Sequence, residues 1–143
     1  MDLVALAYVS TATGPLSTAD LEALLVDARS VNQHEQVTGA LLHHDGSFFQ
    51  YLEGPPEGVK RVYERILSSR KHTGLIELIH APIQERHFAQ WHMGVAEAPG
   101  TLLQKLANSQ WASTLVSLRV SRLPPAGVAL LLDFWSRAGR SHF

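Results

Sequence analysis

An α+β, ferredoxin-like sandwich of βαββαββ order is predicted, with two helices on one sheet face and a C-terminal helical extension covering the other. Three observations predict it. Residues 3–96 alternate between two-residue and 3.6-residue apolar periodicity, in the order strand, helix, strand, strand, helix, strand, strand. Asp45-Gly46, set between two strand runs, is a two-residue hairpin signal that makes the central pair antiparallel. The strands are apolar on both faces, so both faces need cover, and two further apolar helical runs follow residue 98.

The first strand is Leu3 to Ser10. Val4, Leu6 and Tyr8 face one way, and Leu3, Ala5, Ala7 and Val9 the other. Gly14-Pro15 marks a loop. Ser17 then caps a helix, with Asp20 in the capping-box position. Leu21, Leu24, Leu25 and Ala28 form its apolar stripe, and it ends near Asn32. Val37 to His44 make the second strand, and Ser47 to Glu53, closed by Gly54, the third. Gly54-Pro55-Pro56 stops that strand and opens a helix, since proline suits the first helical turn. Val59, Val62, Tyr63, Ile66 and Leu67 give its stripe. Leu75 to Ile83 read as a fourth strand. Trp91 to Ala96 read as a short fifth, with Trp91, Met93 and Val95 on one face. Thr101 to Gln110 and Pro125 to Arg137 read as helices that cover a sheet face made partly of Phe49 and Tyr51, or form an oligomer contact.

The chain has 143 residues, a net charge of −1 and no cysteine. The length suffices for one core. The mixed charges form no basic stripe, which argues against nucleic acid. No apolar run approaches the ~20 residues of a membrane span. Without cysteine there is no disulfide, thiolate nucleophile or cysteine metal site. No signal peptide is evident, and a cytoplasmic location is expected. Eight histidines are present, but His43 and His44 are adjacent on a strand and point apart. His72, His80, His87 and His92 have no chelating spacing, so no metal is expected. No nucleophile elbow, phosphate loop or dinucleotide fingerprint occurs. No catalytic residue is assigned.

The informative stretch is Ser47 to Glu53. Phe48, Gln50 and Leu52 share a face, and Phe49, Tyr51 and Glu53 the other. An unpaired amide among apolar residues costs about 1–3 kcal/mol. Gln50 therefore has a polar partner on its face or lies at a sheet edge. Its two donors and two acceptor lone pairs suit a heteroaromatic ligand. Glu53 is expected to be a surface charge at a strand end. Tyr8, Asn32, Gln50, Trp91 and Met93 form a polar set embedded in apolar elements. By residue type it suits binding and tuning an aromatic cofactor better than hydrolysis.

At these residues the sequence resembles the BLUF family, blue-light sensors that use flavin. The matching stretches are Tyr8-Val9-Ser10, Asn32, Val37-Thr38-Gly39-Ala40-Leu41-Leu42, Gly46-Ser47-Phe48-Phe49-Gln50-Tyr51-Leu52-Glu53-Gly54, Arg65-Ile66, His72 and Arg86-His87-Phe88-Ala89-Gln90-Trp91-His92-Met93. The resemblance implies a flavin-binding domain over residues 1–97 and a two-helix extension over 98–143, packed on the sheet as in short members of the family. It implies a noncovalent flavin, FAD or else FMN or riboflavin, between the helices carrying Leu24-Leu25 and Ile66. Asn32 would bond the polar edge of the ring. Arg65, Lys71 and His72 would lie at the ribityl and phosphate end. Gln50 would stand between Tyr8 and the flavin.

It further implies that Tyr8 gives the excited flavin an electron and a proton, and that recombination leaves the Gln50 amide rearranged. The new hydrogen bond then shifts absorption to the red until it decays in the dark. The signal would leave through the Trp91–Met93 strand to an unidentified downstream protein, from a homo-oligomer, with no net reaction. Three positions depart from the family pattern. Val31 stands where many members carry a second asparagine, and Ser69 and Lys71 replace an aspartate and an arginine. The alternative is a ferredoxin-like binding module with a degenerate pocket that does not photocycle.

Overall fold

A computed structural model of the chain describes residues 2–15, 17–70, 72–111, 126–137 and 141–142. Its elements are β1 (Leu3–Ala12), α1 (Thr18–His34), β2 (Thr38–His44), β3 (Ser47–Gly54), α2 (Pro56–Leu67), β4 (His72–Ile83), β5 (Gly94–Glu97), α3 (Gly100–Ala107), α4 (Ala126–Arg137) and β6 (Ser141–His142). They form one sheet in the order β4-β1-β3-β2-β5-β6. All neighbours are antiparallel except β2 and β5, which run parallel. The first four strands give the predicted ferredoxin-like order, and β5 extends it.

Local chemistry accounts for the junctions. Ser17 caps α1 through the Asp20 N–H at 3.1 Å, and the Asp20 carboxylate returns a bond to the Ser17 N–H at 3.1 Å. Asp45 and Gly46 both have positive φ, 46° and 81°, as the predicted hairpin requires. This turn fixes the β2–β3 register, in which Leu41 lies opposite Gln50. The β1–β3 register places Tyr8 opposite Gln50 from the other side.

Two cores flank the sheet. Leu6, Leu25, Leu52, Val59, Val62 and Met93 pack on the face under α1 and α2. Phe49, Tyr51, Leu103, Leu106, Leu131 and Trp135 pack on the other face, under α3 and α4. The parity assigned to β1 and β3 therefore holds, and the C-terminal helices cover the second sheet face as expected. At about 1.5–3 kcal/mol for each fully buried large side chain, both cores are substantial.

Four expectations are corrected. β4 begins at His72 rather than Leu75, because Thr73 and His72 pair with Thr11 and Ala12 of β1 beyond a register shift. Leu67 is exposed, because the helix ends on it and its stripe has turned from the sheet. Glu53 is fully buried, not a surface charge. Trp91 and Met93 are not in the fifth strand, which starts at Gly94, and they do not share a face. The chain turns between Phe88 and Trp91, where the Trp91 N–H reaches the Phe88 carbonyl at 3.0 Å. Two-residue alternation does not survive such a turn. Met93 is buried on the helix side, while Trp91 packs on Trp135 on the other.

Candidate functional site

Beneath α1 and α2 the first core is open. A cavity of about 420 Å³ lies between the two helices and the middle of the sheet, within the range of small-ligand sites. Its apolar lining includes Leu24, Leu25, Ala28 and Val31 from α1, Val62 and Ile66 from α2, and Leu41 and Phe48 from the sheet. The apolar stripes of the two helices thus serve the cavity as well as the sheet. Its polar lining includes Tyr8, Asn32, Gln50, Arg65, Ser69 and His72.

Gln50 is at the centre. The Tyr8 hydroxyl donates to its Oε1. Its Nε2 donates to Met93 Sδ at 3.4 Å, a weak acceptor. Tyr8 and Gln50 are 5% and 6% exposed. Burial, aided by nearby Tyr63, pushes the Tyr8 hydroxyl well above the usual tyrosine range, so it remains a proton donor. The sequence question about Gln50 has a direct answer: its partner on that face is Tyr8.

Asn32 closes one end of α1. Its Nδ2 donates to the His92 carbonyl at 2.8 Å, tying the segment before β5 to the helix. On the opposite rim, the His72 ring stacks beside Tyr8 with centroids 6.1 Å apart. His72 Nε2 bonds the Ile66 carbonyl at 3.0 Å. A carbonyl only accepts, so Nε2 carries a proton. The ring's Nδ1 is buried and has no partner among the described residues. Arg65 lines the cavity but its guanidinium holds Asp27 at 2.7 Å. Lys71 lies outside the described residues.

The structure therefore brings together Tyr8, Leu24, Leu25, Asn32, Gln50, Arg65, Ile66, His72 and Met93. It excludes Trp91. Sequence reasoning did not single out Asp27, Ser68 or Phe48, which also line the cavity. Phe48 had the right parity, sharing a face with Gln50. Asp27 and Ser68 offered no signal beyond their places on α1 and after α2.

Comparison with known proteins matches this arrangement. Residues 3–94 match the family model described as BLUF, sensors of blue-light using FAD. The chain belongs to the BLUF family. BLUF domains are photosensor modules that bind flavin, so the chain is assigned to the blue-light photoreceptors. Over 90 residues it is 41% identical to the photoactivated adenylate cyclase subunit beta of Euglena gracilis, a match covering 62% of this chain and 10% of that protein. The corresponding subunit of Euglena longa is 40% identical over 90 residues. The chain spans about a tenth of these curated relatives. Among solved structures, the ground state of BlsA superposes with a TM-score of 0.74 at 25% identity, covering 97% of this chain and 91% of that one. The dark state of BlrB, a BLUF protein, gives 0.71 at 25% identity, covering 94% and 96%. Among the described residues no helix is long and apolar enough to cross a membrane, and no cluster of His, Asp and Glu could hold a metal.

Proposed function

We propose that the chain senses blue light through a flavin held between α1 and α2, with the Tyr8–Gln50–Met93 set as the switch. The carrying observation is the hydrogen bond from Tyr8 to Gln50 on the cavity wall. It favours the photoreceptor over the non-photoactive binding module.

The residues present fit a flavin. A flat ring needs apolar walls, and Leu25, Val31, Ile66 and Phe48 supply them. A ring edge with adjacent donors and acceptors needs amides, and Asn32 and Gln50 supply those. Ribityl hydroxyls need hydrogen-bond partners, and His72 Nδ1, buried and without a partner among the described residues, offers one. Arg65 lines the cavity wall with its guanidinium paired to Asp27, and a flavin phosphate would compete with that carboxylate for it. FAD is the occupant the family description names. A BlrP1 structure of Klebsiella pneumoniae holds FMN, and FMN and riboflavin share the ring that this wall would face.

When bound, the flavin supplies blue absorption and, once excited, an acceptor for an electron and a proton. The protein supplies the rest. Tyr8 is held neutral by burial, so it gives up its proton only together with an electron. Gln50 Oε1 accepts its hydroxyl and is the group to which that proton moves first. Turned by half a rotation, the Gln50 amide would present its NH₂ to the Tyr8 oxygen and its carbonyl toward Met93. The two patterns differ only in hydrogen bonds, and exclusion of water keeps either from being erased by solvent. Val31 lines the wall beside Asn32 and is apolar, so Asn32 is the amide that α1 offers there.

The flavin-binding unit is residues 1–97, and residues 98–143 are the extension that receives the change. The chain does no net chemistry. It acts in the cytoplasm as a homo-oligomer and passes its state to a separate signalling protein. Flavin titration of the purified protein tests the site. The wild-type protein should bind FAD, and Asn32→Ala should weaken binding about tenfold, the effect of one buried hydrogen bond. Equal affinity in that variant, or failure of the wild type to take up any flavin, would remove the assignment.

A further inference from the structure

Glu53 is the one fully buried carboxylate among the described residues, and it lies on the sheet face away from the cavity. Its carboxylate accepts the backbone N–H of His87 at 2.9 Å and that of Phe88. From the same loop, Arg86 reaches the other way. Its Nη1 donates to Thr38 Oγ1 at 2.8 Å and to the Glu53 carbonyl at 3.2 Å, and its Nη2 donates to the Gln36 carbonyl at 2.7 Å. The β4–β5 loop and the ends of β2 and β3 are thus locked reciprocally.

The lock continues toward the cavity. The Phe88 carbonyl accepts the Trp91 N–H at 3.0 Å, and the Trp91 carbonyl accepts the Gly39 N–H at 2.8 Å. The His92 carbonyl accepts Asn32. The next residue is Met93, whose sulfur faces the Gln50 amide. This stretch has no regular secondary structure, so these bonds determine where Met93 sits. Burial pushes the Glu53 carboxyl up from its usual range, opposed by the two amides. Arg86 donates to backbone carbonyls and the Thr38 hydroxyl, not to the Glu53 carboxylate. A buried acid in that position is costly, and its visible return is the placement of the loop.

We propose that Glu53 is a positioning residue of the switch: its carboxylate fixes residues 86–93 and so sets the contact between Met93 and Gln50 on the opposite sheet face. The inference rests on the reading of Gln50 as the switch. A sulfur is a weak acceptor and hydrogen bonds weaken steeply with geometry. A small displacement of Met93 therefore changes which amide orientation of Gln50 is favoured.

The test compares wild type, Glu53→Gln and Arg86→Ala, each loaded with FAD. Gln offers one acceptor oxygen where Glu offers two, so the His87 or the Phe88 amide loses its partner. Arg86→Ala releases the same segment from its outer side and serves if the buried substitution does not fold. In both variants the His87, Phe88 and Trp91 amides should exchange about tenfold faster, while β1 and β3 amides keep wild-type rates. The Met93 methyl resonance, recorded in the dark, should shift, and dark recovery after illumination should change several-fold. An unshifted Met93 methyl in both variants overturns the proposal, as do unaltered loop amides. The dark resonance needs no photocycle. A wild-type protein that fails to cycle would therefore count against the switch, and the clamp would still be decided.

Discussion

Gly94→Ala is the sharpest probe of how the C-terminal helix is seated. Gly94 opens β5, immediately after Met93. A Cβ there would lie 2.5 Å from Trp135 Cζ2, 2.7 Å from Cη2 and 3.0 Å from Trp91 Cε3. Ordinary carbon contacts are about 3.5–4.0 Å, so the Trp135 indole must retreat by about 1 Å. It has little room. Trp135 is buried, with Trp91 edge-on at 5.4 Å and Phe88 edge-on at 5.6 Å. Overpacking of this kind costs about 1–3 kcal/mol. The φ of Gly94 is not among the positive values, so alanine also restricts the unfolded chain, a gain of about 0.4–1 kcal/mol. The balance is a loss of roughly 1–2 kcal/mol. Urea unfolding should show a lower midpoint with unchanged slope. In a Trp135→Ala background the same substitution should be neutral or stabilising, giving a coupling of about 1 kcal/mol or more in a double-mutant cycle. Flavin affinity should be unchanged, because neither Gly94 nor Trp135 lines the cavity. A Gly94→Ala protein as stable as wild type in both backgrounds would refute the packing of α4 on β5.

Two further outcomes follow from the same geometry. Burial raises the Glu53 carboxyl above its ordinary range, so the folded state binds that proton more tightly than the unfolded state does. The resulting contribution to stability is fully present below the unfolded pKa and is lost as pH rises through the folded one. Glu53→Gln should lack that loss. Its urea midpoint should gain on wild type as pH climbs from about 4.5 upward, and a constant difference would refute the raised pKa. Ser17→Ala removes one half of the α1 capping box and should lower stability by about 1 kcal/mol; an unchanged thermal midpoint would mean the box contributes nothing.

Much of this arrangement could be read from residue order alone, for identifiable reasons. Strand parity is local, so the faces of Tyr8, Gln50 and Phe49 followed from alternation, and the Asp45-Gly46 turn fixed the register that sets Leu41 against Gln50. The Ser17 cap is equally local. What failed was long-range. Glu53 sits at a strand end like a surface charge, and its partners are backbone N–H groups 34 and 35 positions later, which carry no side-chain signature. Trp91 and Met93 are two apart, which reads as one face only if the chain is extended. A turn closed by the Phe88 carbonyl removed that premise. The early start of β4 depends on pairing with β1 past a register shift, a tertiary event without a local signal. At the site, Tyr8 and Gln50 were legible as members of a polar set, and their pairing came from the resemblance to the family. The resemblance to the family supplied the reason for the space between the helices.

On the proposed function, Gln50, held by Tyr8, makes the cavity a light switch. The light-minus-dark absorption spectrum of the FAD-loaded protein tests it most directly, with Gln50→Leu and Tyr8→Phe recorded beside it. Wild type should show a red shift that reverses in the dark, and both variants should bind flavin without that shift. A wild-type shift that persists when Gln50 is leucine would contradict it.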